Sequence, residues 1–418
     1  MVRHDAGMVA FVSGARRPFL RYWLSGFLAD FGDGVRLAAF PLLAAQITRS
    51  PAAVAAVIAV QGLPWLLLGG GMGVIVDRTD RRRLMLIVDT ARICVIVTLA
   101  AAIFAHGAGL LLIYLTAFVT GVGSAPRDTA AVTCVPRLVK PADLDQANGR
   151  ITAGQIVGNE LAGPAAGGWL FGLAVVLPFA VNAGALGIAM LLLLTLPSVF
   201  GPPPREPVSR GARSSLASMR NDFAEGLRWL GQHSDIRDVT IFAAVVSLLD
   251  AAWFAVLVLY VVQVLHERPG AYGLLLAIAA IGGVIAGSVG TSLSRRLGHW
   301  RSLVIAGLVT AAAQAGLGLS GNVGIAAAML FASSAAWALF NMTAVTMRQR
   351  QVPAAILGRV TSLYSTLTRG GEALGAIGGG ILASVAGIRA PMLAGAAPIA
   401  AVSAVLAWRH RPSRQLPP

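Results

Sequence analysis

Long apolar stretches alternate with short polar bursts along this chain. Apolar runs fall near residues 19–47, 51–76, 84–106, 109–135, 146–172 and 174–197, and resume near 238–265, 271–294, 301–320, 323–347, 356–386 and 390–408. A helix needs about 20 apolar residues to cross a hydrocarbon core. The pattern therefore predicts twelve transmembrane helices, six on either side of a polar gap. The gap opens with Gly201, Pro202, Pro203 and Pro204, which cannot continue a helix. Leu216, Met219, Phe223, Leu227 and Leu230 then recur at three- and four-residue intervals, with Arg220, Asp222, Glu225 and Arg228 among them. That spacing predicts a short amphipathic helix lying on the membrane face. The expected organisation is an all-α membrane protein. It has a six-helix bundle over 1–198, a cytoplasmic linker over 199–235 and a second six-helix bundle over 236–418.

Composition sharpens this reading. Of 418 residues, 56% are hydrophobic and only 12% are charged, against about 25% charged in a soluble domain. The formal net charge of +15 raises the question of nucleic acid, but the arginines answer it by their placement. They gather in alternate loops: Arg16, Arg17 and Arg21; Arg78 and Arg81–Arg83; Arg137 with Lys140; the gap; Arg295, Arg296 and Arg301; Arg348, Arg350 and Arg359; Arg409, Arg411 and Arg414. The other loops hold little beyond Arg49, Arg268 and Arg389. By the positive-inside rule both termini and the linker are cytoplasmic. The expected location is a bacterial inner membrane, with lipid and not nucleic acid as the partner. The first apolar run is too long for the core of a cleavable signal and reads as the first span. Cys94 and Cys134 read as small buried hydrophobes.

Several chemistries find no support. A P-loop needs Gly-Lys-Ser/Thr, and the sole lysine, Lys140, follows Val139, so ATP is not an expected partner. The six histidines are scattered singly, without metal-ligand spacing. Neither an enzyme nor a bound cofactor is expected.

The halves repeat. Gly149-Arg150-Ile151-Thr152 enters the fifth span and Gly358-Arg359-Val360-Thr361 the eleventh, half a chain length later, and each precedes a glycine-rich stretch. Between spans two and three stands Gly73-Val-Ile-Val-Asp77-Arg78-Thr-Asp80-Arg81-Arg82-Arg83. This resembles motif A of the major facilitator superfamily, Gly-x-x-x-Asp-Arg-x-Gly-Arg-Arg, with Asp80 in place of the usual glycine. The resemblance implies the superfamily's two pseudo-symmetric bundles and a cytoplasmic latch. In it Asp77 faces the N-terminal end of span eleven, while Arg81 pairs with an acid at the base of span four, for which Asp128 is the candidate. Gly73, Arg78 and Arg82 complete the motif. The alternative is a plain positive-inside anchor.

Gly163-Pro164-Ala-Ala-Gly167-Gly168 resembles motif C of antiporter members, with the upstream Gly158 one residue farther away than usual. Its alternative is ordinary tight helix packing. Asp30-Phe-Gly-Asp33-Gly-Val-Arg36 through Pro41 in span one, Ser124-Ala125-Pro126-Arg127 and Val135-Pro136-Arg137 resemble the drug:proton antiporter subgroup that holds macrolide, tetracycline-type and siderophore exporters. Full motif B members carry an arginine inside span four. Here Thr116, Ala117 and Thr120 precede Gly121, so a coupling route must use other groups.

Ionisable residues at bilayer depth are costly and normally mark function or a paired structural site. Asp30 lies roughly 16 Å into span one at 1.5 Å per residue, and Asp33 and Arg36 follow on the same face. Glu160, Asp250, Arg369 and Glu372 have comparable depths. All seven are candidates for proton coupling. Asp33 with Arg36, and Arg369 with Glu372, are equally readable as closed ion pairs. Asp30, Glu160 and Asp250 have no evident partner within their own helices. Phe31, Phe40, Trp65, Trp253, Phe254 and Trp337, with Gln61 and Asn341, are candidates to line a substrate cavity. The expectation is a secondary active exporter of drugs or other amphipathic small molecules, working by proton antiport and alternating access. The alternative is an exporter of a single siderophore, antibiotic or lysolipid.

Overall fold

The computed structural model describes residues 16–68, 79–135, 138–140, 143–196 and 216–410, and its described residues are helical with short connections. α1 is Arg16–Ile47, α2 Pro51–Leu68, α3 Arg81–Phe104 and α4 Leu110–Cys134. α5 runs Leu144–Gln155, continues through a π-helical segment Ile156–Ala162 and ends as Gly163–Leu173; α6 is Leu177–Leu194. The amphipathic stretch of the gap forms α7, Leu216–Gln232. α8 is Ser234–Phe254, extended by Leu257–Leu259 and a π-helical Tyr260–Val264. α9 is Pro269–Leu297, α10 His299–Leu319, α11 Val323–Gln351, α12 Ala354–Ala386 and α13 Ala390–Arg409. Seven of the described helices are long and apolar enough to cross a membrane, and the apolar stretches Pro51–Pro64 and Leu110–Ser124 are shorter.

Local chemistry sets the boundaries. Asp80 caps α3, its carboxylate accepting from the Arg83 amide at 3.0 Å. An N-cap favours Asp and takes ordinary extended backbone, here φ −65°. The residue that departs from motif A therefore starts the helix without needing glycine's freedom. Asn322 caps α11 through the amides of Gly324 and Ile325. Gly298 and Gly387 follow α9 and α12 with φ of +83° and +93°, a backbone that only glycine adopts without cost.

Polarity runs inward. Ile87, Leu111, Leu374 and Val385 are more than half exposed, whereas Asp89, Arg92, Asn182 and Gln314 are fully buried. A protein solvated by lipid has this distribution, since intramembrane charges face the bundle interior. α1 packs on α5 and α6, and α4 on α2 and α3; in the second bundle α8 packs on α12, α9 on α11 and α10 on α13. Two seams join the bundles, α2 with α12 and α5 with α9. The seams are related by the repeat, since the second and fifth helices of one bundle meet the fifth and second of the other. Both are tight at the end away from α7. There Ser384 Oγ accepts from the Ala52 amide at 3.2 Å. A Cβ on Gly380 would lie 2.7 Å from Ala55 Cβ, and one on Gly168 2.9 Å from Gly273 Cα. An apolar core crosses both bundles at this end, with Leu42, Val54 and Phe179 packed together with Leu257, Tyr272 and Met392.

A charged cavity and an aromatic cavity on either side of α2

The motif C-like glycines hold α5 against α1. A Cβ on Gly167 would stand 2.3 Å from the Val35 carbonyl oxygen, and one on Gly163 2.7 Å from Gly34 Cα. Gly158 faces the same helix, its Cβ position 3.0 Å from the Phe31 amide. The extra residue before Gly163 is absorbed by the π-helical segment, where the Gly163 amide bonds to the Gly158 carbonyl. Residues five apart align in a π-turn, so Gly158 returns to the glycine face. Pro164 is buried at the start of the last segment, and its carbonyl oxygen would lie 2.3 Å from a Cβ on Gly273 of α9. Gly375, Gly379 and Gly380 repeat the spacing of Gly163, Gly167 and Gly168 on α12. Gly379 closes on the Ala252 carbonyl of α8 and Gly380 on α2.

The π-helical segment opens onto a cavity of about 320 Å³ lined by Asp30, Asp33, Arg36, Gln61, Asn159 and Glu160, with Leu37, Ser124 and Gln155. Arg36 pairs with Asp33 at 3.3 Å and donates to Thr120 Oγ1 at 3.1 Å. With its amide oxygen turned inward, Gln61 of α2 accepts from Arg36 Nη1 at 2.8 Å. Behind Asp33 lies a second layer from α3. Arg92 donates to Asp33 Oδ1 and to Asp89, and Arg127 of α4 binds Asp89 Oδ1 through Nε at 3.0 Å. Arg92 reaches this place across Gly123 of α4, where a Cβ would lie 2.8 Å from the Arg92 Cδ. A smaller cavity of about 40 Å³ continues from Asp30 and Gln155 past Arg127 towards Tyr22 and Trp23.

On the other side of α2 is a cavity of about 350 Å³ whose walls come from α2, α8, α11 and α12, including Gly62, Asp250, Phe254, Trp337, Arg369 and Glu372. Asp250 Oδ1 accepts from Trp253 Nε1 at 2.8 Å and from Gln314 Nε2 at 3.3 Å. Trp337 stacks on Phe340, with centroids 5.6 Å apart.

Residues 10–415 match the model of the transmembrane secretion effector family. The chain belongs to that family of the major facilitator superfamily. Among its relatives, the enterobactin exporter EntS of Escherichia coli (strain UTI89 / UPEC) is 27% identical over 374 residues, 86% of this chain and 83% of that one. The solved nucleoside transporter NupG superposes with a TM-score of 0.70 at 15% identity, over 96% of this chain and 99% of its own. A bacterial homologue of the iron transporter ferroportin, in an inward-facing state, gives 0.73 at 18% identity over 94% and 99%. These structures share the fold. A secretion effector of this superfamily is a multi-pass membrane transporter and not an enzyme.

The structure distributes the sequence candidates unevenly. Asp30, Asp33, Arg36, Glu160 and Gln61 meet in the charged cavity, and Asp250, Arg369, Glu372, Phe254 and Trp337 in the aromatic one. Asp250 does have a partner on its own helix, Trp253, one turn later. Two expected cavity aromatics are core residues instead. Phe40 is completely buried against Phe179, and Trp253 is 3% exposed with its indole committed to Asp250. Phe31 and Asn341 line neither cavity. Of the motif A residues, Gly73, Asp77 and Arg78 lie outside the described residues, as do the side chains of Asp128 and Trp65. Arg81 is buried at the start of α3, and Arg82 donates to the Leu194 carbonyl at the end of α6. Asp89, Arg92 and Arg127 were not among the expected site residues. The first two carry a signal in the sequence, an Asp and an Arg three apart within an apolar run, the same pattern as Asp33 and Arg36.

Proposed function

We propose that this secretion effector exports an amphipathic small molecule by proton antiport, with the charged cavity carrying protons and the aromatic cavity carrying substrate. One observation carries the reading: adjacent residues of α2, Gln61 and Gly62, border the two different cavities. The charged cavity offers carboxylates beside one arginine and several amides, groups that can re-pair when a carboxylate takes up a proton. The aromatic cavity offers rings and small apolar side chains with few polar groups, which suits a drug-sized ligand. Outward transport is supported by the family's secretion description and by the likeness to an enterobactin exporter.

The proposed domain division stays at 1–198, 199–235 and 236–418, with α7 as the cytoplasmic linker. With α7 inside the cell, the tight seams at the far end correspond to a periplasmic closure, and alternating access rocks the bundles about the two cavities. In the motif A latch, Arg81 and Asp77 would hold the opposite, cytoplasmic closure. The proton is proposed to exchange at Asp30 or Asp33. In reconstituted vesicles an imposed pH gradient should drive accumulation of a fluorescent amphipathic drug. Asp30→Asn and Asp33→Asn should each reduce that accumulation at least tenfold while the protein still elutes as a single species. Accumulation unchanged by collapse of the gradient would overturn antiport.

A narrower reading, export of a siderophore, rests on the EntS likeness at 27% identity. Resistance to several unrelated drugs in a pump-deficient host favours the broad exporter. Secretion of one iron-binding product alone favours the narrow one.

A further inference from the structure

The aromatic cavity carries an electrostatic preference that narrows the substrate class. Both protein donors to Asp250, the Trp253 indole and the Gln314 amide, converge on Oδ1. Both are neutral, and among the described residues Asp250 has no salt-bridge partner. Oδ2 has no hydrogen-bond donor and is not sealed from solvent, and Asp250 borders the cavity. The other charged groups facing this space are Arg369 and Glu372, one turn apart on α12 and opposite in sign. They offset each other, so the carboxylate of Asp250 sets the balance of the cavity. Trp337 and Phe254 supply π faces, and Ile58, Ala251 and Ala373 apolar wall. The negative face of an aromatic ring attracts a cation and offers an anion no such attraction. Carboxylate and rings thus select the same sign of charge.

We infer that this cavity is a binding site for lipophilic monocations, with the Asp250 carboxylate as counter-ion and Trp337 and Phe254 as the aromatic walls. The inference deepens the export reading by naming the substrate class, and it disfavours an anionic product in this cavity. The inner wall holds the counter-ion ready. Gln314, fully buried on α10, and Trp253 fix the orientation of the carboxylate without neutralising it.

The test uses a pair of probes of the same shape and opposite charge, tetraphenylphosphonium and tetraphenylborate. Equilibrium dialysis against the detergent-purified full chain, with empty micelles as blank, should show the cation binding at least tenfold more tightly than the anion. Asp250→Asn should weaken cation binding at least tenfold and leave the anion unmoved, while Asp250→Glu should retain cation binding within about threefold. Equal retention of both ions, retention of neither, or cation binding unaffected by Asp250→Asn would overturn the inference. Should Asp250→Asn aggregate, the preference of the wild-type chain between the two ions decides alone. Binding is measured without a gradient, so the site and the export reading fail separately. Selective cation binding with no gradient-driven flux sinks antiport and leaves the site. Gradient-driven flux of another compound with no charge preference sinks the site and leaves antiport.

Discussion

Arg92 on α3 donates to Oδ1 of Asp33 on α1, while its other terminal nitrogen pairs with Asp89. The guanidinium is fully buried and stands between two carboxylates that also hold Arg36 and Arg127. Charges alternate along this chain of five residues from three helices, so each ion is offset by its neighbours. Removing the middle one breaks two buried pairs at once and leaves the two carboxylates with no cation between them. Arg92→Gln should destabilise the fold by about 3 kcal/mol, the low end for breaking a buried pair, because each aspartate retains one arginine. Thermal unfolding in detergent measures it, and the double variant with Asp89→Asn should lose less than the sum of the two single losses. Additive single losses would show that the two do not act as a pair.

The glycine face of α5 separates close packing from open surface. Gly167→Ala places a Cβ 2.3 Å from the Val35 carbonyl oxygen, whereas Gly172 has nothing within 4 Å of its Cβ position. Overpacking costs roughly 1–3 kcal/mol. Gly167→Ala should therefore lower the yield and unfolding temperature of folded protein, and Gly172→Ala should leave both near wild type.

The seam between α2 and α12 is open to chemical trapping. Ala52→Cys with Ser384→Cys, in a chain whose Cys94 and Cys134 are replaced by serine, should form a disulfide on mild oxidation. The 3.2 Å approach of the Ala52 amide to Ser384 Oγ motivates the pair. Under the rocking mechanism the crosslinked protein should lose vesicle transport and recover it with reductant. Full transport with the bond closed would mean that this seam does not open.

Arg359, from the second copy of the repeated tetrapeptide, pairs with Glu225 of α7 at 2.8 Å, both side chains being more than a third exposed. Exposed pairs contribute about 0–1 kcal/mol. Glu225→Gln should shift stability by less than about 1 kcal/mol, so a larger loss in a melting experiment would give the linker helix a greater anchoring role.

What the sequence made legible follows the range of each interaction. Helix positions rest on runs of apolar residues, and α7 on a local periodicity, so both were readable. Asp33 and Arg36 are three apart on one helix, and their pairing needed no tertiary knowledge. Arg92 and Asp33 are 59 positions apart, and only the packing of α1 and α3 against the shared neighbours α4 and α6 brings them together. Aromatics divided on the same ground. Hydrophobicity placed Phe40 and Trp337 at similar depth, but facing direction made one a core residue and the other a cavity wall. Gly158 is instructive in another way. Its irregular spacing looked like a departure from the motif, and the π-helical turn shows it to be the same face reached by a wider coil.

Gln61 and Gly62 are consecutive, and a helix turns about 100° between consecutive residues. A single rod thus forms the partition between two compartments, and it cannot tilt to suit one without redrawing the other. Under the antiport proposal, exchange of ions and passage of cargo are tied by geometry before any charge is moved, and damage to this partition would uncouple and leak in the same stroke.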